Sequence, residues 1–420
     1  MKVCFETFGC RLNRAEALQM EADYLAKGWE RTESHSDADL IVVRGCSVTR
    51  RAQRDCERLV AHIKAKYPAT RLIVTGCLRD ETAERVSPAV RRARAILEAM
   101  DAADDEDAET PPEIEEDEPI PMRTARAYLK IQDGCSGKCS FCIVPQFRGP
   151  SSSVSFSSLL RKTERFIEAG YTEIVLTGCN LVLYASEGRR LPELVDALAR
   201  LGESADGRSS PRCRIRLGSI EPGACALETV DVMAARANVC RYLHVPAQSG
   251  ADRILTAMRR PYLVRDVVEL VERAKRVSAL AGIGLDLMTG FPGETEMDFL
   301  STEGLIKRLC PSNVHVFPYS ERPGTIAAGL LDMIPRAVRH DRARRLAAVA
   351  KSHRSQASKK FIGQRVQIVI EDEKEMSGWT GEYFQCRIDN KGRCASVKRR
   401  DIVEARVTIA RHGALVAAVV

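Results

Sequence analysis

Cys135, Cys139 and Cys142 fall within the run KIQDGCSGKCSFCIVPQFRG, from Lys130 to Gly149, in a CxxxCxxC spacing. Three thiolates leave a four-coordinate zinc one ligand short, and they leave one iron of a 4Fe–4S cluster without a protein sulfur. The loop therefore suits a cluster with an open iron, which is a place for chemistry. The blander alternative is half of a zinc ribbon completed by a distant Cys or His, although ribbons favour CxxC pairs. A second set of cysteines is spread along the chain. Cys10, Cys46 and Cys77 each follow a glycine at the end of an apolar run, at spacings of 36 and 31 residues. Any one of them alone reads as a small apolar core residue. The repeated Gly-Cys at three equivalent ends predicts a second site with three thiolates and a vacant position. Cys4 and Cys56 lack the pattern and read as core or surface residues, and Cys179 reads as a filler.

These two sets need elements that hold them. From Lys2 to Ala99 the apolar runs Lys2 to Phe8, Asp39 to Val43 and Arg71 to Thr75 alternate with amphipathic helical stretches, a βα pattern that makes a parallel sheet. The carboxyl ends of parallel strands share one edge, where ligands bind, so the three cysteines can converge there. Asn13 is placed to cap a helix ending near Gly28, and Ser47 to cap a basic helix running to about Lys66. From Ala127 to about Ala327 strands and helices alternate six times, too few for an eight-stranded barrel, which predicts an open six-stranded one with its site at the upper rim. Pro335 to Lys360 reads as a helix with nine Lys or Arg against one Asp. The tail from Phe361 to Val420 reads as short strands closing a small β-barrel of the kind that holds RNA. The expected division is 1–100, an acidic linker at 101–121, 122–330, a basic connector at 331–360, and 361–420.

Charge and cysteine usage narrow the partners. The net charge is +7, yet Asp101 to Glu118 holds eleven acidic and no basic residues, which leaves the rest of the chain at +18 and suited to a polyanion such as RNA. Neither a leader nor an apolar run of about 18 residues is present, so the expectation is a cytoplasmic protein with no membrane partner. In that compartment clustered cysteines hold metals or do chemistry more often than they pair.

Over nearly its whole length the chain resembles the radical S-adenosylmethionine methylthiotransferases. The resemblance rests on TFGCRLN, VVRGCSVT and VTGC at the front, the CxxxCxxC loop, and GWTGEYFQCRI, which is similar to an RNA-binding TRAM domain. It implies two 4Fe–4S clusters, an auxiliary one on Cys10, Cys46 and Cys77 and a radical-generating one on Cys135, Cys139 and Cys142. It also implies S-adenosylmethionine held near Phe141, Thr177, Gly178, Ser219, Glu221 and Gln248, and RNA phosphates met by Arg148, Arg322, Lys398, Arg399 and Arg400. Its other partners would be tRNA at the anticodon stem-loop, an electron donor such as flavodoxin or ferredoxin, and a sulfur donor.

Within that family LKIQDGC, FCIVPQFRG, LHVPAQSG and HVFPYSERPGTIAA resemble the branch that places a methylthio group on carbon 2 of N6-threonylcarbamoyladenosine. The isopentenyladenosine branch and the branch acting on a ribosomal-protein aspartate share the clusters, and a non-catalytic metal-holding RNA-binding protein is the remaining alternative. The sequence departs from the branch at Arg44-Gly45, at GPSSS after Arg148, and at CNLVLYASEG after Gly178. Such chemistry calls for a radical, since carbon 2 of an adenine is neither acidic nor electrophilic enough for side-chain catalysis.

Overall fold

A computed structural model describes residues 1–78, 119–121, 123–203, 211–389 and 397–420. Most of the expected acidic linker lies outside the described residues.

The front of the chain forms a four-stranded parallel sheet in the order β2-β1-β3-β4, from β1 (Lys2–Thr7), β2 (Glu30–Arg31), β3 (Leu40–Cys46) and β4 (Arg71–Cys77). Its crossovers are helix α1 (Arg11–Ala26) and helix α2 (Arg50–Lys66). β3 is buried along its whole length, as a central parallel strand covered on both faces must be. Both expected helix caps are corrected. α1 begins directly behind β1 with Cys10 at the N-cap position, so Asn13 lies inside the helix. Its amide donates instead to the carbonyls of Phe8 (2.8 Å) and Gly45 (2.7 Å), tying the ends of β1 and β3 together. For α2 the cap is Thr49, whose hydroxyl accepts from the Ala52 amide, two residues beyond Ser47.

The central region supplies six parallel strands in two ladders. One runs β11-β8-β5, from β5 (Ala127–Lys130), β8 (Glu173–Thr177) and β11 (Arg214–Arg216), and the other β12-β13-β14, from β12 (Tyr242–Gln248), β13 (Gly282–Thr289) and β14 (Asn313–Pro318). Single bridges at Ile215 with Val239 and Ser219 with His244 join the two. Among the described residues no ladder joins β5 to β14, so the barrel is open. Two minor pairings decorate it, β6 (Gln132–Asp133) with β7 (Ser152–Ser153) and β9 (Ala185–Ser186) with β10 (Arg189–Arg190).

Period-two alternation sorts the barrel's faces. Leu129, Ile174, Leu176, Ile215, Leu243, Ile283 and Leu285 pack in the apolar core under the helices. The intervening Lys130, Glu173, Arg214, Arg216, Tyr242, His244 and Asp286 face inward, so the lumen is polar.

At the back, helix α10 (Arg336–Lys359) leads into a closed barrel in the order β15-β16-β17-β19-β18, from β15 (Arg365–Asp372), β16 (Ser377–Thr380), β17 (Gln385–Ile388), β18 (Ile402–Arg411) and β19 (Ala414–Val419). This barrel reaches into the central one. Arg214 donates to the carbonyls of Gln367 and Trp379, and Arg216 to those of Thr380 and Gly381, while both hold the fully buried Glu173. A Cβ on Gly282 would stand 2.0 Å from the Glu382 carbonyl oxygen, so only glycine admits the β16–β17 turn there. The α-helices that follow the cluster loop and alternate with the barrel strands are α3 (Val144–Arg148), α4 (Phe156–Glu168), α5 (Leu191–Leu201), α6 (Ala224–Ala235), α7 (Asp252–Ala257), α8 (Val264–Val277) and α9 (Glu296–Leu309). Among the described residues no helix is long and apolar enough to cross a membrane.

Candidate active site

The first trio is built by strand register. β3 and β4 pair so that Gly45 lies beside Gly76 and Cys46 beside Cys77. Cys10 follows β1, which pairs with β3 on its other side. The glycines are there for room. Gly76 has φ +104° and a Cβ on it would stand 2.5 Å from the Gly45 carbonyl oxygen, and one on Gly9, at φ +99°, would stand 2.8 Å from Cys46 Cβ and 3.0 Å from its Sγ. Close approach of three chain segments thus explains the repeated Gly-Cys.

The second trio sits on the loop after β5. The Cys135 amide donates to the Gly149 carbonyl (3.1 Å) and the Cys142 amide to that of Cys139 (3.2 Å), while Ser140 ties the loop to Met258 and Ala257. A Cβ on Gly137 would stand 3.2 Å from Cys135 Sγ and 3.9 Å from Cys139 Sγ, so both sulfurs turn toward the same space.

Each trio has one guanidinium hydrogen-bonded to a sulfur. Arg148 Nε donates to Cys77 Sγ (3.0 Å), and its remaining four N–H groups go to Glu16, Asp133 and Asn13 at 2.9 to 3.1 Å. Arg260 donates to Cys139 Sγ (3.0 Å), to Tyr262, and to Glu221 at 2.5 Å. Burial pushes Cys46, Cys77 and Cys139 up; the Val48 amide, Arg148 and Arg260 respectively oppose it most, and smaller upward pushes come from neighbouring thiols and, ahead of them at Cys139, from Glu221. Burial takes Cys142 up to about 11, with Cys139 and Cys135 adding to it. Buried thiols that oppose one another's ionisation become a stable set of thiolates only around a cation, and a set of three leaves one iron of a 4Fe–4S cluster without a protein sulfur.

The residues expected near S-adenosylmethionine lie around the second trio and the rim. Glu221 is buried between Arg260 and the Asn180 amide (2.5 Å). Gln248 ends β12 with φ +64°, and its Oε1 is buried with no partner among the described residues, an acceptor that suits a ligand donor. Thr177 ends β8 buried, Ser219 is exposed beside His244, and Phe141 packs on the apolar group that includes Phe291 and Tyr319. Gly178 passes so close to the Gln132 carbonyl that a Cβ would stand 2.8 Å from it.

The arginines expected to meet phosphate are corrected in three cases. Arg148 has all five donors engaged inside, with its side chain 9% exposed. Arg322 is buried and donates to the carbonyls of Ser47 and Val48 and to Gln53, joining the loop after β14 to the one after Cys46. Arg400 donates to the carbonyls of Thr124 and Ala169 and stacks over Tyr171 at 4.0 Å. Lys398 and Arg399 are exposed. A guanidinium in the sequence looks the same whether it faces water or carbonyl oxygens, which is why these three read as surface groups.

Sequence reasoning missed Arg260, Asn13, Glu16 and a line of lumen groups. Arg11, next to Cys10, donates to Tyr383 Oη (2.9 Å). Tyr383 lies against Tyr242 (4.7 Å between ring centroids), and the Tyr242 hydroxyl meets His244 Nδ1 at 3.0 Å. His244 and His315 both meet Asp286 Oδ1, at 2.9 and 3.2 Å. No local motif announces these contacts, since they join three domains.

Known proteins match this arrangement. Residues 129–306 match the Radical SAM superfamily, and residues 2–97 match the Uncharacterized protein family UPF0004. The chain is 28% identical over 408 residues to the threonylcarbamoyladenosine tRNA methylthiotransferase MtaB of Bacillus subtilis, covering 91% of this chain and 89% of that one. It is 31% identical over 385 residues to the tRNA-2-methylthio-N(6)-dimethylallyladenosine synthase of Mycobacterium ulcerans, covering 87% and 72%. Among solved structures the radical S-adenosylmethionine methyltransferase TsrM from Kitasatospora setae superposes with a TM-score of 0.55 at 13% identity, over 78% of this chain and 77% of that one, a likeness of fold. A cysteine trio at the ends of the front sheet's strands, a second on the loop after β5, an open six-stranded barrel, a closed five-stranded barrel behind it, and this kinship together make the chain a member of the radical S-adenosylmethionine methylthiotransferase family.

Proposed function

We propose that this enzyme places a methylthio group on carbon 2 of N6-threonylcarbamoyladenosine next to the anticodon of tRNA. The observation that carries the reading is the polarity of the wall running from Cys10 into the lumen: Arg11, Tyr383, Tyr242, His244, Asp286 and His315. A threonylcarbamoyl group brings a carboxylate, a hydroxyl and a urea, all of which need partners when taken from water. A dimethylallyl group brings only carbon and would leave those side chains facing an apolar surface. The resemblance to MtaB over nine-tenths of both chains supports the same choice.

When bound, S-adenosylmethionine and the two clusters supply one-electron, hydrogen-abstracting chemistry and a carrier for sulfur. The chain's own part is placement. Cys10, Cys46 and Cys77 hold one cluster and Cys135, Cys139 and Cys142 the other. Arg148 fixes the two sites relative to each other, and Glu221, Arg260 and Gln248 shape the rim beside the radical loop. The β16–β17 turn closes the lumen from below, which excludes water from the reacting atoms. Electrons and sulfur come from donors outside the chain, consistent with a flavodoxin or ferredoxin and a sulfur source as partners.

A second reading, dimethylallyladenosine as the base, draws on the Mycobacterium relative at 31% identity. Nucleoside mass spectrometry of tRNA from cells with and without the gene separates them. Loss of the methylthio form of threonylcarbamoyladenosine alone supports the first reading; loss of the dimethylallyl form overturns it.

A further inference from the structure

Three of the five basic residues offered to RNA by the sequence are engaged inside the molecule, so the cationic surface beside the site lies elsewhere. A cleft of about 1010 Å³ opens between α2, the end of β14 and the start of α10. Its described walls carry six arginines against two glutamates. Arg322 and Arg339 form its floor, both buried and hydrogen-bonded to backbone carbonyls. Arg50, Arg51, Arg54 and Arg336 stand in water on its rim. Arg50 meets Glu321 only at 3.5 Å, and Arg51 meets Asp55 at 3.8 Å with its side chain 90% exposed. Loose pairs like these contribute little and yield readily to a stronger anion.

Two neutral groups point the same way. Ser47 and Tyr319 line the cleft, both are over nine-tenths buried, and their hydroxyl oxygens lie just beneath its surface with no hydrogen-bond partner among the described residues. A buried hydroxyl without a partner costs stability unless a ligand completes it. The bottom of the cleft touches both trios in sequence: Ser47 follows Cys46, and Ile143 follows Cys142.

We propose that an RNA strand enters the enzyme through this cleft, with Arg50, Arg51, Arg54 and Arg336 on its phosphates and Ser47 and Tyr319 on the sugar or base edge between the two clusters. The inference rests on the reading of tRNA as the partner and adds where the strand lies. The spacing of separate cations along a rim above buried hydroxyls suits a phosphodiester chain with polar sugars.

The test is equilibrium binding of unmodified tRNA to the full-length protein over a range of potassium chloride. The Arg50→Gln, Arg51→Gln, Arg54→Gln variant should bind more weakly at low salt. Its slope of log affinity against log salt should also fall by about 1 for each phosphate contact removed. Tyr319→Phe should weaken binding with the slope unchanged. The triple variant changes exposed side chains, and circular dichroism checks that it is folded. A folded triple variant with the native slope overturns the cleft, as does a slope lost on changing Lys398 and Arg399 instead. Salt-independent or absent tRNA binding by the native protein would overturn the tRNA reading itself.

Discussion

Arg148 Nε lies 3.0 Å from Cys77 Sγ, joining the helix that follows the radical loop to the sulfur at the end of β4. That contact is one of five. With Glu16, Asp133 and Asn13 on its other donors, Arg148 belongs equally to the front sheet and the central barrel. A methylthiotransferase has to bring a sulfur carrier and a hydrogen abstractor to one carbon atom, so the relative position of the two trios is itself a catalytic requirement. A planar fork with fixed donors sets such a position better than a flexible ammonium does.

Replacing Arg148 should therefore loosen the interface before it touches the chemistry. Arg148→Met leaves Glu16 and Asp133 with Lys130 as their shared partner and Cys77 and Asn13 without theirs. Breaking a buried pair from one side costs about 3–5 kcal/mol, and the remaining Lys130 and Arg44 contacts place this variant at or below the low end of that range. Arg148→Lys keeps the charge and loses the fork, so it should fall between. Urea unfolding of the purified protein reads both, and an Arg148→Met midpoint equal to the native one would mean the ion pairs hold nothing together.

Arg260 makes the corresponding contact on the other trio, and there the expected effect is electronic. A guanidinium donating to Cys139 Sγ favours the more negatively charged, reduced cluster. Arg260→Met should shift the midpoint potential of the radical cluster to more negative values and slow 5′-deoxyadenosine formation. An electron paramagnetic resonance redox titration, done in a Cys46→Ala background so that one cluster is observed, checks it. An unmoved midpoint would leave Arg260 with only the task of holding Glu221.

Much of this was legible in the sequence, for physical reasons particular to each part. Parallel strands and Gly-Cys ends repeat, so Cys10, Cys46 and Cys77 stand out together. The six barrel strands alternate with helices between Ala127 and about Ala327, so their number and parallel sense follow from the pattern. What stayed hidden depends on contacts between distant segments. Arg260 reaches Cys139 across 121 residues, and Arg11 reaches Tyr383 across 372. Asn13 looked like a cap because Asn commonly caps, but with Cys10 directly starting α1 its amide was free to serve the strand ends. The lumen's polarity could not be read until the alternation of β12 and β13 was tied to which face carries the helices.

Glu16 makes part of this stability pH-dependent. Burial pushes its carboxyl up, but the hydrogen bond from Arg148 and the charges of Lys130 and Arg44 outweigh burial and bring it from 4.5 down to about 2. A depressed carboxylate stabilises the fold fully above its unfolded value and progressively less as pH falls toward its folded one. Between about pH 5 and pH 2 the fold should therefore lose on the order of 3 kcal/mol from this group. Denaturant unfolding at several pH values should show the decline, and Glu16→Gln should be less stable at pH 7 and flatter across that window. Equal slopes for the two proteins would remove Glu16 from the account.

Gly76 tests whether the repeated glycine is there for backbone shape or for room. Gly76→Ala meets both obstacles, a φ of +104° and a Cβ 2.5 Å from the Gly45 carbonyl oxygen, a backbone atom that cannot swing aside. Gly28 has a similar φ, +82°, and nothing within 4 Å of its Cβ position. Gly28→Ala should thus cost only the left-handed penalty of about 1–2 kcal/mol and keep both clusters. Gly76→Ala should part β3 from β4 where Cys46 and Cys77 lie side by side and lose the auxiliary cluster, leaving about half the iron after anaerobic reconstitution. The radical loop is on another domain, so 5′-deoxyadenosine should still form while methylthio transfer stops. Full iron content in Gly76→Ala would show that the strand ends can spread without losing the cluster, and the tight packing of Gly45 against Gly76 would then have no part in holding it.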